Sequence, residues 1–554
     1  MRWIPKTQLK QSLFVLILLA CGGCPEGPQT PRYRGAGAKS PRYGGSALFH
    51  LSSDLRSLDP HKAYDELSFR GIRLLFDGLL DYDAEGNLVP SLAAALPQQL
   101  DGGRRFVLRL RSGLRFHNSR PLNADDVRWS LERMLHPDTG SPGVSFYHNL
   151  RGLEAFRQGK QKHISGIEVL GTESLAFQLD KADQTFLNAL AMTFAYPVAK
   201  ESYSDSSPTH ELDFKPIGAG PYVFTSWERG VRLVFTRNLH YWRPGKPYVN
   251  RMVLLENVNR DIAMMRFRNG DLDHAYGFSP ADYIFFKKAK AWQPYQVELP
   301  QPVVWGLTMN CELPPFDNVH MRRAVAFAID RQRWSLARNR RLRVTGQPLP
   351  PSIRGYRRDL PQRQVFDLQR ARAELKLAGH PQGWPEPISL WVGAGGSAQF
   401  FGELAQSDLA RIGLKISIKQ VAFAVFIQET GKPKTAQMTL SGWGQDFPDA
   451  ASFLDILFHS RSIHPQDSEN RSFYRNAQLD RLLDAARIEA DAAKRKAMYE
   501  QASSMIAHDA PWAFIWNNLD LEAWQPYLRN YRPHPVWQQD YRFVWLDRPK
   551  RGFR

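Results

Sequence analysis

The fold is decided by residues 106–127, which read FVLRLRSGLRFHNSRPLNADDV. From Phe106 onward every second residue is bulky and apolar, as in a half-buried strand, and a Ser-Gly turn follows the alternation. Asn123 then predicts the N-cap of a helix whose first turn carries Asp125 and Asp126 at the positive end of the helix dipole. A strand followed closely by a capped helix favours sheets covered by helices.

The same mixture of elements continues on the C-terminal side of this stretch. Residues 222–224 and 233–235 predict two antiparallel strands joined by a turn. A helix is predicted over 367–378, ending before Gly379, and another helix carries leucines and an alanine on one face within 479–486. Sheets and helices in a long mixed order predict lobes of the α/β or α+β class.

Length and composition limit the classes of protein to consider. The 554 residues suggest three or four structural units, and 43% hydrophobic with 23% charged residues is typical of globular chains rather than disordered ones. The 73 Lys and Arg against 55 Asp and Glu give a net charge of +18, but no basic stripe alternates with aromatic residues, so we expect no nucleic-acid partner. The charge favours anionic headgroups or acidic ligands, or reflects an arginine-rich composition.

The N-terminus has the pattern of an export signal. Residues 1–20 combine cations with an apolar run that is too short to span a membrane as a mature helix, and small residues with cysteines follow. The sequence LLAC ending at Cys21 resembles a bacterial lipobox, in which the cysteine receives the lipid, and Cys24 is a poorer second candidate. We therefore predict a lipid anchor on Cys21 and a linker over 21–46; a plain signal peptide is the alternative.

A series of short motifs runs in order from about residue 47 to the C-terminus. The series resembles the solute-binding proteins of peptide and nickel ABC importers, the family 5 type with oligopeptide- and dipeptide-binding members. The motifs are LDPH (58–61), FDGLLDY (76–82), PSLA (90–93), the block quoted above, GAGPY (218–222), RNLHYW (237–242), MN (309–310), PPFD (314–317), AIDR (328–331) and GWG (442–444).

The resemblance implies an α/β, two-lobe periplasmic-binding-protein-like fold of the class II, or cluster C, type. Its predicted parts are lobe I over 47–302 with an extra subdomain inserted at about 76–195, lobe II over 303–517, a C-terminal return to lobe I over 518–554, and hinge crossings at 303–305 and 514–517. Hinge closure over a ligand would be the working motion of such a protein.

The resemblance also implies a function and a ligand site. The protein would capture peptides, in particular oligopeptides, outside the cytoplasm and deliver them to ABC permease subunits, as a monomer without a cofactor. Asp446 falls where peptide-binding relatives carry the aspartate that neutralises the peptide ammonium, and Gly442, Trp443 and Gly444 would supply the backbone beside it. A turn aspartate or a helix cap is the alternative for Asp446, and Asp449 is expected to be a cap.

Trp305, Trp443 and Trp516 are candidates for aromatic walls of the cleft, and a place in the core is the alternative for each. Dipeptide-binding relatives hold the ligand carboxylate with an arginine after a lobe II strand. The corresponding stretch here, residues 391–399, has none. This difference favours longer peptides or a ligand without a carboxylate.

Other ligands and other classes of protein stay open at this stage. Relatives of the same fold bind nickel chelates, haem or oligosaccharides, and a sensory or chaperone-like role without transport is a further alternative. An enzyme is disfavoured because the sequence has neither a Gly-x-Ser-x-Gly elbow nor a Walker lysine loop. His459 and His464 lie without a cysteine or acidic cluster beside them, so a surface loop is expected there rather than a metal site.

Overall fold

The computed structural model describes residues 30–33, 35–203, 215–395 and 397–548. The predicted signal peptide, Cys21, Cys24 and the first part of the linker lie outside the described residues. Within those ranges, none of the helices combines the length and the apolar character that crossing a membrane would require.

The strands of the described residues are short apart from one long strand near the C-terminus. They are β1 (Ser46–His50), β2 (Leu80–Tyr82), β3 (Leu88–Pro90), β4 (Gln98–Leu100), β5 (Arg105–Arg109), β6 (Ile167–Gly171), β7 (Ser174–Gln178), β8 (Tyr222–Glu228), β9 (Arg232–Arg237), β10 (Arg251–Leu255), β11 (His274–Ala275), β12 (Gln296–Pro300), β13 (Val303–Met309), β14 (Leu342–Val344), β15 (Ile388–Gly393), β16 (Ile416–Val421), β17 (Met438–Gly444), β18 (Trp512–Trp524), β19 (Leu528–Arg529) and β20 (Trp545–Leu546).

The α-helices are distributed between the strands along the whole described chain. They are α1 (Glu66–Leu75), α2 (Ala124–Leu135), α3 (Leu153–Arg157), α4 (Phe186–Ala191), α5 (Arg260–Asn269), α6 (Pro280–Lys288), α7 (Val319–Ala328), α8 (Arg331–Ala337), α9 (Leu368–Leu377), α10 (Ala398–Ala410), α11 (Phe423–Thr430), α12 (Ala451–Phe458), α13 (Ala477–Ile488) and α14 (Ala492–Asp509).

The locally encoded predictions are confirmed. Asn123 accepts the backbone N–H of Asp126 at 3.1 Å, while the Asp126 carboxylate accepts the N–H of Asn123 at 3.0 Å, which makes a capping box at the start of α2. Strands β8 and β9 pair antiparallel, and α9 ends where Gly379 takes a positive φ of 84°. Local hydrogen bonding and turn geometry are enough to specify each of these features.

The strands form one large sheet and several smaller ones. The large sheet has the order β11-β18-β13-β17-β15-β16, and β12 and β14 also pair with β18. Strand β18 changes partner along its length, since its residues 512–516 pair with β13 and its residues 519–524 pair with β12 and β11. Two four-stranded sheets, β1-β10-β9-β8 and β4-β5-β7-β6, lie in the N-terminal half. The chain therefore has the predicted mixed α/β architecture.

The C-terminal segment packs against the sheet of the N-terminal half. Tyr541 stacks on Phe49 of β1 with ring centroids 3.7 Å apart, and the hydroxyl of Tyr527 donates to Asp273 at 2.7 Å. Arg542 is buried and donates to Asp81 at 2.8 Å. Burial alone would raise the pKa of Asp81, but Arg542 and a second buried arginine lower it, so this ion cluster stays charged.

The region around α4 contacts the helices that follow β17. One buried apolar cluster extends from β2 through α2 and α4 into α12, α13 and α14. Across this contact Arg487 donates to the buried carboxylate of Asp183 at 2.8 Å, and Phe146 meets Phe447 edge to face at 6.2 Å. These contacts therefore join the region around α4 to the helices α12, α13 and α14.

Candidate functional site

A cavity of about 650 Å³ lies beside the paired strands β13 and β17. Within the antiparallel ladder, Trp305 is opposite Gly442, and Gly444 is opposite Val303. Five of the six predicted ligand-binding residues line the cavity, namely Trp305, Gly442, Trp443, Gly444 and Trp516. Its volume is within the range of about 300–1,000 Å³ that small-ligand sites occupy, and its position on the three adjacent strands β18, β13 and β17 explains why these residues meet.

The wall of the cavity is a stack of aromatic rings. Trp305 and Trp516 stack with centroids 5.6 Å apart and planes at 1°, and Phe401 covers Trp516 at 4.5 Å. Trp516 is only 3% exposed and belongs to a buried cluster while it lines the cavity, so it serves in both the core and the wall. The indole Nε1 of Trp305 is buried and has no acceptor among the described residues, and a ligand carbonyl could accept its hydrogen bond.

Gly442 permits this stack because it has no side chain. A Cβ on Gly442 would lie 2.4 Å from the indole of Trp305, a distance at which the ring has to move. A Cβ on Gly444 would meet only Val303 at 3.6 Å, which is an ordinary contact. The two glycines of the Gly-Trp-Gly motif therefore differ, and only Gly442 is required by packing.

The end of strand β17 offers a backbone edge to the cavity. On one side the whole of β17 pairs with β13. On the other side β15 pairs only with Met438 and Thr439, so within the described chain no strand covers the second edge of residues 440–444. These residues line the cavity, and an open strand edge can pair with an extended peptide without regard to its side chains.

Asp446 lies just beyond this edge, and its side chain is only partly satisfied. Its backbone N–H donates to the Ser452 hydroxyl at 2.8 Å, and its Oδ1 accepts a very short hydrogen bond from the hydroxyl of Tyr64. Its Oδ2 is buried and has no donor among the described residues. Burial, with a smaller contribution from the charge of Glu469, raises the pKa of Asp446 to about 7.

The contact with Tyr64 crosses between the two halves of the molecule. Tyr64 precedes α1 in the N-terminal half, whereas Asp446 follows β17. Burial first, and then the neighbouring Asp446, raise the pKa of Tyr64, so its hydroxyl keeps its proton and donates it. Asp446 is not among the residues that line the cavity; it lies beside the cavity, four residues from Gly442, with Tyr64 over its carboxylate.

Trp443 and Asp449 are held by contacts within their own region. The indole of Trp443 lines the cavity and donates to the backbone carbonyl of Ser452 at 2.7 Å, which fixes its orientation. Asp449 accepts the N–H of Ala451 at 2.9 Å at the start of α12 and receives both Nη groups of Arg495 at 2.6 and 2.8 Å. Asp449 therefore has the structural role that was expected of it.

Several cavity residues had no sequence signal. Glu66, Arg338, Glu469 and Arg471 place four charges on the lining. None of them belongs to a motif or to an amphipathic face, and each comes from a different part of the chain or from an irregular loop. Tyr64 is similar, because only the fold brings it to Asp446.

The expectation for His459 is wrong. His459 is 6% exposed rather than on a surface loop, and its ring nitrogens contact Asp480 at 3.4 Å and Asp484 at 3.3 Å. The two aspartates come from α13, which packs against the end of α12, so the histidine is enclosed by a later helix. The described residues contain no group of three or more histidine, cysteine or acidic side chains arranged to hold a metal ion.

Comparison with known proteins gives one family. The family model described as bacterial extracellular solute-binding proteins, family 5 Middle, matches residues 87–464. The chain is also 28% identical over 481 residues to di/tripeptide-binding protein 2 of Pseudomonas aeruginosa, an alignment that covers 83% of this chain and 87% of the relative.

Solved structures have the same fold. The clavulanic acid biosynthesis oligopeptide binding protein 2 superposes with a TM-score of 0.84 at 24% identity, over 93% of this chain and 99% of the other. An ABC transporter-associated periplasmic binding protein from Helicobacter pylori, in complex with the peptide STSA, superposes with a TM-score of 0.75 at 24% identity, over 91% and 99%. The predicted two-lobe fold is confirmed by these neighbours.

Proposed function

The chain belongs to the family 5 bacterial extracellular solute-binding proteins, and from this membership we propose that it captures peptides between its lobes and delivers them to the permease of an ABC transporter. The peptide-binding relative and the peptide complex among the structural neighbours support the choice of ligand. The role is capture and release by lobe movement, without covalent chemistry.

One observation carries the proposal: the Oδ2 atom of Asp446 is buried beside the cavity and has no donor among the described residues. A buried carboxylate oxygen without a partner is costly, and a cation that donates a hydrogen bond to it removes that cost. The α-ammonium of a peptide is such a cation. Tyr64 already donates to Oδ1, so the incoming ammonium either uses Oδ2 or displaces the phenol.

The backbone of the peptide would lie along the open edge of β17. Residues 440–444 offer N–H and C=O groups on that edge, and the stacked Trp305 and Trp516 form a flat apolar wall nearby. Pairing with the backbone gives affinity for any peptide, whereas aromatic surface accepts varied side chains. This arrangement suits a carrier of mixed peptides.

We place the lobe boundary where β18 changes partner. The change falls between residues 516 and 519, next to residues 301–302 that separate β12 from β13. These positions support hinge crossings at 303–305 and 514–517, and hence lobe I over 47–302 with an insertion at about 76–195, lobe II over 303–517 and a return over 518–554. The packing of Tyr541 on Phe49 supports that return.

The remaining parts of the proposal concern location and partners. We propose that the chain is exported by residues 1–20, lipid-modified on Cys21 and held in the periplasm or at the cell surface by the linker over 21–46. It would act as a monomer, because each jaw closes on the other jaw of the same chain, and it would have no enzymatic activity.

The test compares peptides with free and blocked amines. Asp446→Asn, which keeps the size of the side chain, is expected to weaken binding of Ala-Phe-Ala by about 10- to 100-fold, since a charge-assisted hydrogen bond is lost. The N-acetylated tripeptide should bind weakly to both proteins, with less than about a threefold difference, when titrated by calorimetry. Equal losses for both peptides would remove Asp446 from the amine site.

Native mass spectrometry of protein purified without denaturation tests the class of cargo itself. A ladder of peptide masses on the protein is the expected result. A single chelate or haem mass would show that the cargo is not a peptide, and the protein would then be a carrier of another solute that proteins of this fold bind.

A further inference from the structure

Arg471 places an unneutralised positive charge on the cavity wall. Its Nη1 donates to the carbonyl of Ile427 at 3.2 Å and to the hydroxyl of Thr430 at 2.6 Å. Thr430 in turn donates to the carbonyl of Phe426 at 2.7 Å, so its oxygen is oriented to accept. Among the described residues no carboxylate lies within 4.0 Å of this guanidinium, and its Nε and Nη2 donate no hydrogen bond to any of them.

Such an arrangement favours an anion from outside the protein. Burial lowers the pKa of Arg471, which indicates that its surroundings disfavour the cation. The cavity beside it is lined mainly by apolar and aromatic groups. A carboxylate that enters this cavity could bind the free Nε and Nη2 edge in a bidentate manner and relieve the unpaired charge.

Glu469 connects the anion site to the amine site. Its carboxylate lines the same cavity and forms no ion pair within 4.0 Å with any cation of the described chain. Burial raises its pKa, while Arg471 opposes that shift, and Glu469 also raises the pKa of Asp446. Glu469 is therefore within electrostatic reach of both Asp446 beside the cavity and Arg471 on its wall, so the proposed sites for a cation and an anion lie on either side of one carboxylate.

On the premise of the proposed function, we propose that Arg471 binds the free carboxylate of the cargo, so that the preferred ligands are peptides with both termini free. The absence of an arginine from residues 391–399, which favoured longer peptides, is compensated by this arginine from another loop.

The experiment measures discrimination between a carboxylate and an amide. Mature wild-type protein is titrated by calorimetry with Ala-Phe-Ala and with Ala-Phe-Ala-NH₂, and the free acid is expected to bind about 10- to 100-fold more tightly. In Arg471→Gln this ratio should fall to near one through loss of acid binding. Arg471→Lys, which keeps the positive charge but cannot form two parallel hydrogen bonds to a carboxylate, should give an intermediate acid-to-amide ratio.

Arg338→Gln tests the rival arginine of the same cavity wall. Arg338 lines the cavity and lies over the ring of Phe401 at 5.5 Å, without an ion pair in the described chain. Its loss is expected to change the affinity for the acid and the amide in parallel, so that the acid-to-amide ratio stays near that of the wild type. Thermal unfolding and circular dichroism check that each variant folds. If Arg471→Gln does not fold, the acid-to-amide ratios of the wild type and of Arg471→Lys decide whether Arg471 binds the carboxylate.

The outcomes separate this inference from the proposed function. Equal wild-type affinity for acid and amide, or a ratio lost in Arg338→Gln but kept in Arg471→Gln, would overturn the role of Arg471 and leave a peptide carrier. Failure of the wild type to bind either form would overturn both the role of Arg471 and the peptide assignment on which it rests.

Discussion

Asp446 would lose its proton on binding the peptide ammonium that we propose as its ligand. Its pKa is about 7 without a ligand, chiefly because of burial, and an ammonium at Oδ2 would lower that pKa. An acid whose pKa is raised by folding binds its proton more tightly in the native state. Ionising it therefore costs stability as the pH rises from about 4 towards 7. The surroundings of Asp446 therefore cost the fold some stability at neutral pH, and a bound ammonium would offset that cost.

The first prediction for a single residue is that peptide affinity depends on pH through Asp446. Below pH 7 the ammonium must displace a proton from Asp446, so affinity should fall by up to about tenfold per pH unit; above about pH 8 affinity should fall again, because the peptide amine, with a pKa of about 7.7–8.0, loses its own proton. Calorimetry in buffers of different ionisation enthalpy should detect nearly one proton released per peptide at pH 6 and a net uptake of a fraction of a proton at pH 8. Asp446→Asn should bind weakly and without this dependence; a wild-type affinity that is flat from pH 5.5 to 8 would contradict the assignment.

The second prediction uses the two glycines of the Gly-Trp-Gly motif as a matched pair. Gly442→Ala puts a methyl group 2.4 Å from the ring of Trp305 and should displace it, with a loss of stability of about 1–3 kcal/mol and of peptide affinity of at least about tenfold. Gly444→Ala meets only an ordinary contact at 3.6 Å and should stay within about threefold of the wild type. Tryptophan fluorescence and calorimetry check both, and equal effects would show that the stack of Trp305 does not depend on Gly442.

At the scale of elements, strand β17 is divided into a structural and a functional part. Met438 and Thr439 pair with strands on both sides, whereas residues 440–444 pair only with β13 in the described chain. The strand thus ends in the cavity with one edge unpaired, although its other edge is held firmly. A strand that is supported on one side presents rigid backbone groups to a ligand, which reduces the entropy lost on binding.

The prediction for this element concerns the backbone of the ligand. Replacing the second peptide bond of Ala-Phe-Ala, between phenylalanine and the last alanine, by an ester removes one N–H donor and leaves the side chains and the two charged ends in place. If the peptide pairs with the edge of β17, the ester should bind about two- to tenfold more weakly, which corresponds to the net contribution of one hydrogen bond. Methylation of the phenylalanine ring in the para position is the control and should change affinity less. An ester that binds as tightly as the peptide would exclude backbone pairing at that bond.

Elements whose signals are local could be predicted from the sequence, and contacts between distant elements could not. The capping box at Asn123 involves residues three apart, and the end of α9 depends on the conformation of Gly379 alone. The contact between Tyr64 and Asp446 joins residues 382 apart, and it exists only because both halves of the molecule meet. Arg471 was missed for the same reason, and His459 was misplaced because the helix that encloses it comes later in the chain.

At the scale of the whole molecule, polar contacts accompany the apolar cluster that joins the region around α4 to the helices α12, α13 and α14. Asp183 is 3% exposed and receives Nε of Arg487 at 3.0 Å and Nη2 at 2.8 Å. Burial alone would lower the pKa of Arg487, but Asp183 and a second aspartate raise it, so the guanidinium keeps its charge. Because these groups come from opposite halves, opening the jaws would separate them and expose them to water.

Removing this pair should therefore shift the balance between open and closed forms. Arg487→Gln leaves the carboxylate of Asp183 buried without its cation in the closed form, which is strongly unfavourable there but not in an open, hydrated form. We expect a larger radius of gyration for the ligand-free variant by small-angle X-ray scattering and a loss of peptide affinity of about 5- to 50-fold. The control is Arg105→Gln, which breaks an exposed pair with Glu168 inside one half and should change neither quantity, since exposed pairs contribute little. If Arg487→Gln scatters and binds as the wild type does, the closed state depends on its apolar contacts alone.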